Sequence, residues 1–176
     1  DTYYTSGLGF TKSYATSSYR LHFLAAGTYN VVFSSNQYVH NIVITPIDTT
    51  PKEIDLGLPK VSDAAATGYS DGILTVSNYR YNDASHGIQV RGEATPMTVT
   101  LAVPSTISIG TCAYSPAGTI TITKDGETTP AFTTDKVVAA TDGDLVTTGT
   151  LAAGTYNVVF SSNQYVHKVV VTPVVE

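Results

Sequence analysis

The sequence predicts an all-β protein: an antiparallel β-sandwich or jelly-roll-like module, preceded by the C-terminal half of a second copy of that module. Three observations indicate this fold. Apolar and polar residues alternate along several short segments, as in strands with one buried face. Asp-Gly pairs typical of turns separate such segments. Finally, a stretch near the N-terminus recurs near the C-terminus.

The alternation is clearest in residues 97–103, 107–109, 120–122 and 156–160, and in the first copy it covers residues 29–33. In each segment Val, Ile, Leu, Met or an aromatic residue occupies every second position, often with Thr between. This pattern favours strands that bury one face and expose the other. At the usual strand spacing, we expect about eight or nine strands between residues 61 and 173.

Asp-Gly pairs mark the expected turns between strands. Asp125-Gly126 follows a regular strand pattern and predicts a type I′ hairpin turn, in which both central residues have positive φ. Asp71-Gly72 and Asp142-Gly143 are similar.

The repeated stretch defines the domain organisation. Residues 24–40, LAAGTYNVVFSSNQYVH, recur unchanged as residues 151–167, and NIVITP at 41–46 then matches KVVVTP at 168–173. Two of the three differences exchange Ile for Val, which keeps strand propensity and burial. Chance does not produce such an identity, so the chain contains a duplicated module.

The two copies are preceded by unequal lengths of chain. Counted from residue 61, 90 residues precede the second copy, whereas only 23 precede the first. Pro51 and Pro59 disfavour a central strand in residues 48–60. We therefore predict an incomplete module in residues 1–47, a linker in residues 48–60 and a complete module in residues 61–176.

An incomplete sandwich exposes an apolar face and unpaired strand edges. Three arrangements would cover this face and pair these edges. The missing strands come from a neighbouring chain, as in donor-strand fibres; the segment packs onto the second module; or the chain is a piece of a longer array. We favour the first and third. The first residue, Asp1, fits both a processed N-terminus and a fragment end.

The composition limits the classes of partner. Fourteen acidic and nine basic residues give a net charge of −5, which disfavours nucleic acid as a partner. No apolar run approaches the roughly 20 residues of a membrane-spanning helix, so we expect no membrane insertion. A single Cys excludes an intrachain disulfide, and the Thr- and Tyr-rich, charge-poor composition favours a secreted or cell-surface location.

No nucleophile, metalloprotease or phosphate-binding motif is present in the sequence, so we expect no catalysis. Polar and aromatic residues suited to a ligand cluster in two segments, and a Tyr ring offers a sugar a flat apolar area beside a hydroxyl. Alternatively, both clusters are structural and stabilise the sandwich. The candidates are Tyr79, Arg80, Tyr81, Asn82, Asp83 and His86 in the first segment, and Asn163, Gln164, Tyr165 and His167 in the second.

We expect no cofactor, with Ca²⁺ as the one alternative. Asp125 and Glu127 form one closely spaced acidic pair, and Asp142 and Asp144 form another. Each pair has fewer ligands than a dedicated calcium loop supplies, and Asp is common in turns, so turn geometry is the preferred interpretation.

Two stretches resemble β-sandwich accessory modules attached to secreted bacterial pectate lyases and related polysaccharide-degrading enzymes. They are TISIGTCAYSPAGTITIT, from Thr106 to Thr123, and GTYNVVFSSNQYVHKVVVTP, from Gly154 to Pro173. The resemblance implies a jelly-roll-like fold and a carbohydrate-binding or spacer role.

Together these observations predict a non-catalytic extracellular repeat protein. We expect it to act in surface assembly or adhesion, with neighbouring copies of the chain as partners and a polysaccharide or other glycan as the ligand. Two alternatives remain open: a glycan-binding accessory module of a secreted polysaccharide-degrading enzyme, and a fibre subunit completed by strands from a neighbouring chain.

Overall fold

The computed structural model describes residues 28–32, 42–44, 46, 48–57, 67–79, 82–83, 86–91, 95–113, 118–135 and 145–174. The chain divides into two compact units, Asp1–Pro46 with Val175–Glu176, and Ile47–Val174. In the first unit the described residues belong to no strand. In the second unit the described residues form twelve strands and no helix.

The second unit consists of two antiparallel sheets of six strands each, which confirms the all-β sandwich. The first sheet contains β1 (Lys52–Asp55), β4 (Asn82–Asp83), β5 (Gly87–Arg91), β7 (Ser105–Ala113), β10 (Leu145–Thr147) and β12 (Asn163–Pro173). Its order is β10-β7-β12-β5-β4, and β1 also pairs with β12.

The second sheet contains β2 (Thr67–Ser70), β3 (Leu74–Tyr79), β6 (Met97–Leu101), β8 (Ile120–Lys124), β9 (Phe132–Thr133) and β11 (Gly154–Phe160). Its order is β2-β3-β6-β11-β8-β9. Eleven of the twelve strands lie between residues 61 and 173, where eight or nine were expected, mainly because the structure adds very short strands at the sheet edges.

The core lies between the two sheets and follows the predicted alternation. In β6, Met97, Val99 and Leu101 are buried, whereas the threonines between them are not. Ile120 and Ile122 behave in the same way in β8. The inward residues of both sheets form one continuous apolar cluster.

The second copy of the repeat, which we call the closing segment (residues 151–173), supplies an interior strand to each sheet. β11 lies between β6 and β8. β12 lies between β7 on one side and β5 and β1 on the other. Ser161 and Ser162 connect the two strands. Because neither strand is at an edge, the closing segment holds both sheets together.

The predicted linker contains a strand of the sandwich. β1 pairs with β12 from Lys52↔Val171 to Asp55↔Lys168. Pro51 directly precedes the strand, where a missing N–H breaks no bond of the ladder. Ile54 and Leu56 are buried in the core. The segment 48–60 is therefore not a linker throughout, and the second sandwich includes residues from 52 onward.

The Asp-Gly pairs form turns, but not of type I′. Gly72 has a φ of 91° and Gly126 a φ of 79°, while Asn78 is the only non-glycine residue with positive φ among those described. Asp71 instead accepts backbone N–H bonds from Ile73 and Leu74 at Oδ1. Partial burial raises the pKa of the Asp71 carboxyl, but these bonds outweigh it and lower the pKa. Asp142-Gly143 lies outside the described residues.

Gly87 lies where β5 approaches β12 closely. Its φ is 82°, and a methyl group added there would overlap the carbonyl oxygen of Val166. We expect Gly87→Ala to lower the free energy of unfolding by about 3 kcal/mol or more, since left-handed strain and overpacking add. Gly72→Ala, at a φ of 91° with no neighbouring atom within 4 Å, should cost only about 1 kcal/mol. Urea denaturation measures both variants, and equal losses would contradict the close approach.

Candidate functional site

The outer face of the first sheet brings together the two segments predicted to bind a ligand. β5 pairs with the beginning of β12, so that Arg91 faces Asn163 and Gln89 faces Tyr165. The ring of His86, next to β5, lies 5.5 Å from the ring of Tyr165, tilted by 46°. Residues far apart in the sequence are therefore neighbours on one surface.

Strand alternation determines which side chains point outward here. Ile88 and Val90 are buried in the core, so Gln89 and Arg91 lie on the opposite face of β5. Val166 is likewise buried, which places Tyr165 on the outer face of β12. We call this outer-face group the polar row: His86, Gln89, Arg91, Asn163 and Tyr165.

Hydrogen bonds fix the cationic group of the polar row. Arg91 donates from Nε and Nη2 to Gln89 Oε1, at 3.2 Å and 3.1 Å. Its backbone N–H donates to Thr95 Oγ1 at 3.1 Å. Gln89 is buried and so positions the guanidinium rather than reaching solvent. The row thus presents two aromatic rings, an exposed Asn amide and a preoriented guanidinium, groups that suit hydroxyl- and carboxylate-bearing ligands.

Sequence reasoning missed Gln89 and Arg91. The signal was available, because GIQVR places polar residues alternately with Ile88 and Val90 in a strand-like pattern. The segment was not assigned as a strand, and its outward residues were therefore not considered.

Tyr79, predicted as a ligand residue, is buried in the core. Asn78 adopts a φ of 60°, and the register shifts between Thr67↔Tyr79 and Tyr69↔Val76. Such an irregularity breaks the two-residue period and turns Tyr79 inward.

Gln164, also predicted as a ligand residue, is completely buried. The Thr111 hydroxyl donates toward Gln164 Oε1 at 2.9 Å and the Tyr165 carbonyl at 2.7 Å. Among the described residues, Gln164 Nε2 has no hydrogen-bond partner. A polar residue predicted to face a ligand therefore joins β12 to β7 inside the sandwich.

His167 is the extra residue of a β-bulge in β12. Val166 pairs with Thr111, and Lys168 pairs with Gly110, the residue that directly precedes Thr111. His167 therefore has no partner position of its own in β7. The imidazole lies over Gly110, where any Cβ would overlap it. Its Nδ1 is buried and has no hydrogen-bond partner in the part of the chain that the structure describes. The His167 carbonyl accepts the N–H of Leu56 at 2.8 Å. These contacts favour the structural interpretation of His167.

The other candidates of the first segment are only partly described. Arg80 and Tyr81 lie outside the described residues. For Asn82 and Asp83 the structure describes pairing with Ile88 and Gly87, which places β4 beside β5, but not the side chains.

The described residues contain no group of three His, Cys, Asp or Glu side chains that could hold a metal ion. The 125–127 pair belongs to a turn, in which Glu127 N donates to Lys124 O at 3.0 Å and Asp125 N to Thr155 O at 2.8 Å. Asp142 and Asp144 lie outside the described residues. Within the described part of the chain, no helix has the length and apolarity to cross a membrane.

The repeated sequence occurs in two different environments. The first copy, which we call the leading copy (residues 24–46), exposes Val31, Ile42 and Ile44 by 52%, 69% and 83%. Their equivalents in the closing segment, Val158, Val169 and Val171, are exposed by 2%, 0% and 6%. The same apolar positions are therefore buried in the closing segment, where strands flank them, and open to solvent at the described residues of the leading copy.

No protein-family model and no curated protein matches the sequence. The function is therefore inferred from the sandwich, the polar row and the two environments of the repeat.

Proposed function

We propose that this chain is a non-catalytic, extracellular β-sandwich repeat protein that acts in surface assembly or adhesion. The observation that carries the proposal is the exposure of the leading copy. Val31, Ile42 and Ile44 present to solvent apolar side chains that the same sequence buries elsewhere in the chain. Covering these side chains with a partner would remove apolar surface from water, which favours association.

The charge and surface chemistry agree with a binding rather than a catalytic role. The polar row itself contains no carboxylate and no nucleophile of an activated pair. The net charge of −5 makes phosphate-rich partners unfavourable. Protein surfaces and glycans remain the partners that fit the described groups.

The assembly role predicts that the full chain self-associates. Sedimentation velocity over roughly 1–100 μM should show a mass that increases with concentration, since burial of the leading copy requires another surface. Moderate salt should change this little, because the exposed residues are apolar. A chain that stays monomeric over the whole range would contradict the assembly role.

Glycan binding is the second candidate function, and the polar row favours it. The rings of His86 and Tyr165 offer flat apolar area, and Arg91 and Asn163 offer hydrogen-bond donors beside it. Such a combination suits a sugar ring with hydroxyl or carboxylate substituents, as in pectins. It also agrees with the resemblance to accessory modules of polysaccharide-degrading enzymes.

For glycan binding, Tyr165→Ala should reduce retention on a polysaccharide affinity gel by about fivefold, because a stacking contact contributes on the order of 1 kcal/mol. Gln164→Met is the matched control. Gln164 is the neighbour of Tyr165 in β12 and is completely buried, so this substitution should leave retention unchanged. The panel should include pectins, other plant polysaccharides and host glycans. No retention of the unmodified chain on any of them would rule out this candidate, as would equal effects of the two substitutions.

A further inference from the structure

The leading copy matches the closing segment closely enough to replace it. The two agree at 20 of 23 positions. Ile42 and Ile44 stand where Val169 and Val171 fill the core, and each adds only one methylene group. Asn41 stands where Lys168 makes a long 3.9 Å contact with an exposed Glu53, an interaction of little value.

The site that holds the closing segment is specified mostly by backbone pairing. On one sheet, β6 and β8 bind both edges of β11. On the other, β7 binds one edge of β12, and β5 and β1 bind the other. Main-chain hydrogen bonds do not depend on the side chains that differ between the copies. At its inward positions the site requires apolar residues, and the leading copy has apolar residues at the same spacing as the closing segment.

We propose that the leading copy is a donor segment that fits the closing-segment site on a second copy of this module, an inference that rests on the proposed role in assembly. Each module has one such site, already filled by its own closing segment. Donation is therefore an exchange of nearly identical elements between copies, a route to association that requires no new interface. The partner surface is the interior of another sandwich, not an unrelated protein.

Strand alternation separates the residues that donation would bury from those it would leave outside. Val31 and Ile42 correspond to Val158 and Val169, which belong to the core. Val32 corresponds to Val159, which is exposed, and Val43 to Val170, which is outside the core. In the leading copy all of these positions are exposed, so their environment there does not distinguish them.

The test uses substitutions in the full chain that prevent the closing segment from packing in the core. It then measures whether the leading copy replaces that segment in this disabled chain. Val158→Asp with Val169→Asp places two charges at completely buried positions, which the closing segment cannot tolerate. We expect this variant to keep a cooperative unfolding transition whose midpoint rises with protein concentration, because a second copy supplies the strands.

Matched substitutions identify the donor. Adding Val31→Asp with Ile42→Asp to the disabled chain should abolish the cooperative transition. Adding Val32→Asp with Val43→Asp, which introduces the same charges at outward positions, should leave it in place. In the otherwise unmodified chain, Val31→Asp with Ile42→Asp should not change the unfolding midpoint in dilute solution, because the closing segment is intact.

Three results would overturn the donor role. The disabled chain could lack a cooperative transition; the two added pairs could have equal effects; or the rescued chain could be monomeric, which would place the leading copy on its own module. Self-association of the unmodified chain tests the assembly role separately. If it persists while the donor test fails, assembly stands and the donor inference falls.

Discussion

The structure depends on the interior position of β11 and β12. These strands follow one another in the chain but belong to different sheets, and each is flanked on both sides. Phe160, Val158 and Val169 place the closing segment at the centre of the core. Without it both sheets would lose their middle strand. The described residues of the leading copy belong to no strand and expose, at Val31, Ile42 and Ile44, the apolar positions that the closing segment buries.

The polar row is a consequence of the same arrangement. β12 changes partner along its length, pairing with β5 before His167 and with β1 after it. The bulge at His167 lies at this change of partner, and glycines at positions 87 and 110 leave room for the close approach and for the imidazole. Pairing of β5 with the first residues of β12 then brings His86 and Arg91 beside Tyr165 and Asn163. A structural requirement of the sandwich thus creates the polar row.

Periodic segments could be predicted from the sequence, and irregular ones could not. The alternation in β6 and β8 was sufficient to identify both strands and their buried faces. The burial of Tyr79 could not be predicted, because the left-handed backbone at Asn78 changes which sheet face the next residue occupies. The alternation of residues in the sequence does not show that change. The burial of Gln164 could not be predicted, because it depends on Thr111 in β7, a strand that is far away in the sequence but adjacent in the sheet. β1 was missed because two prolines nearby suggested a linker, although neither lies within the paired residues.

Amide hydrogen exchange of the dilute, monomeric chain tests most directly whether flanking strands, rather than sequence, determine the state of the repeat. Proteolytic peptides that include Asn41 or Lys168 distinguish the two copies by mass. Amides of residues 169–171 should exchange at least about 100-fold more slowly than those of residues 42–44, because only the former lie in a paired interior strand. Equal exchange of the two peptides would contradict the account.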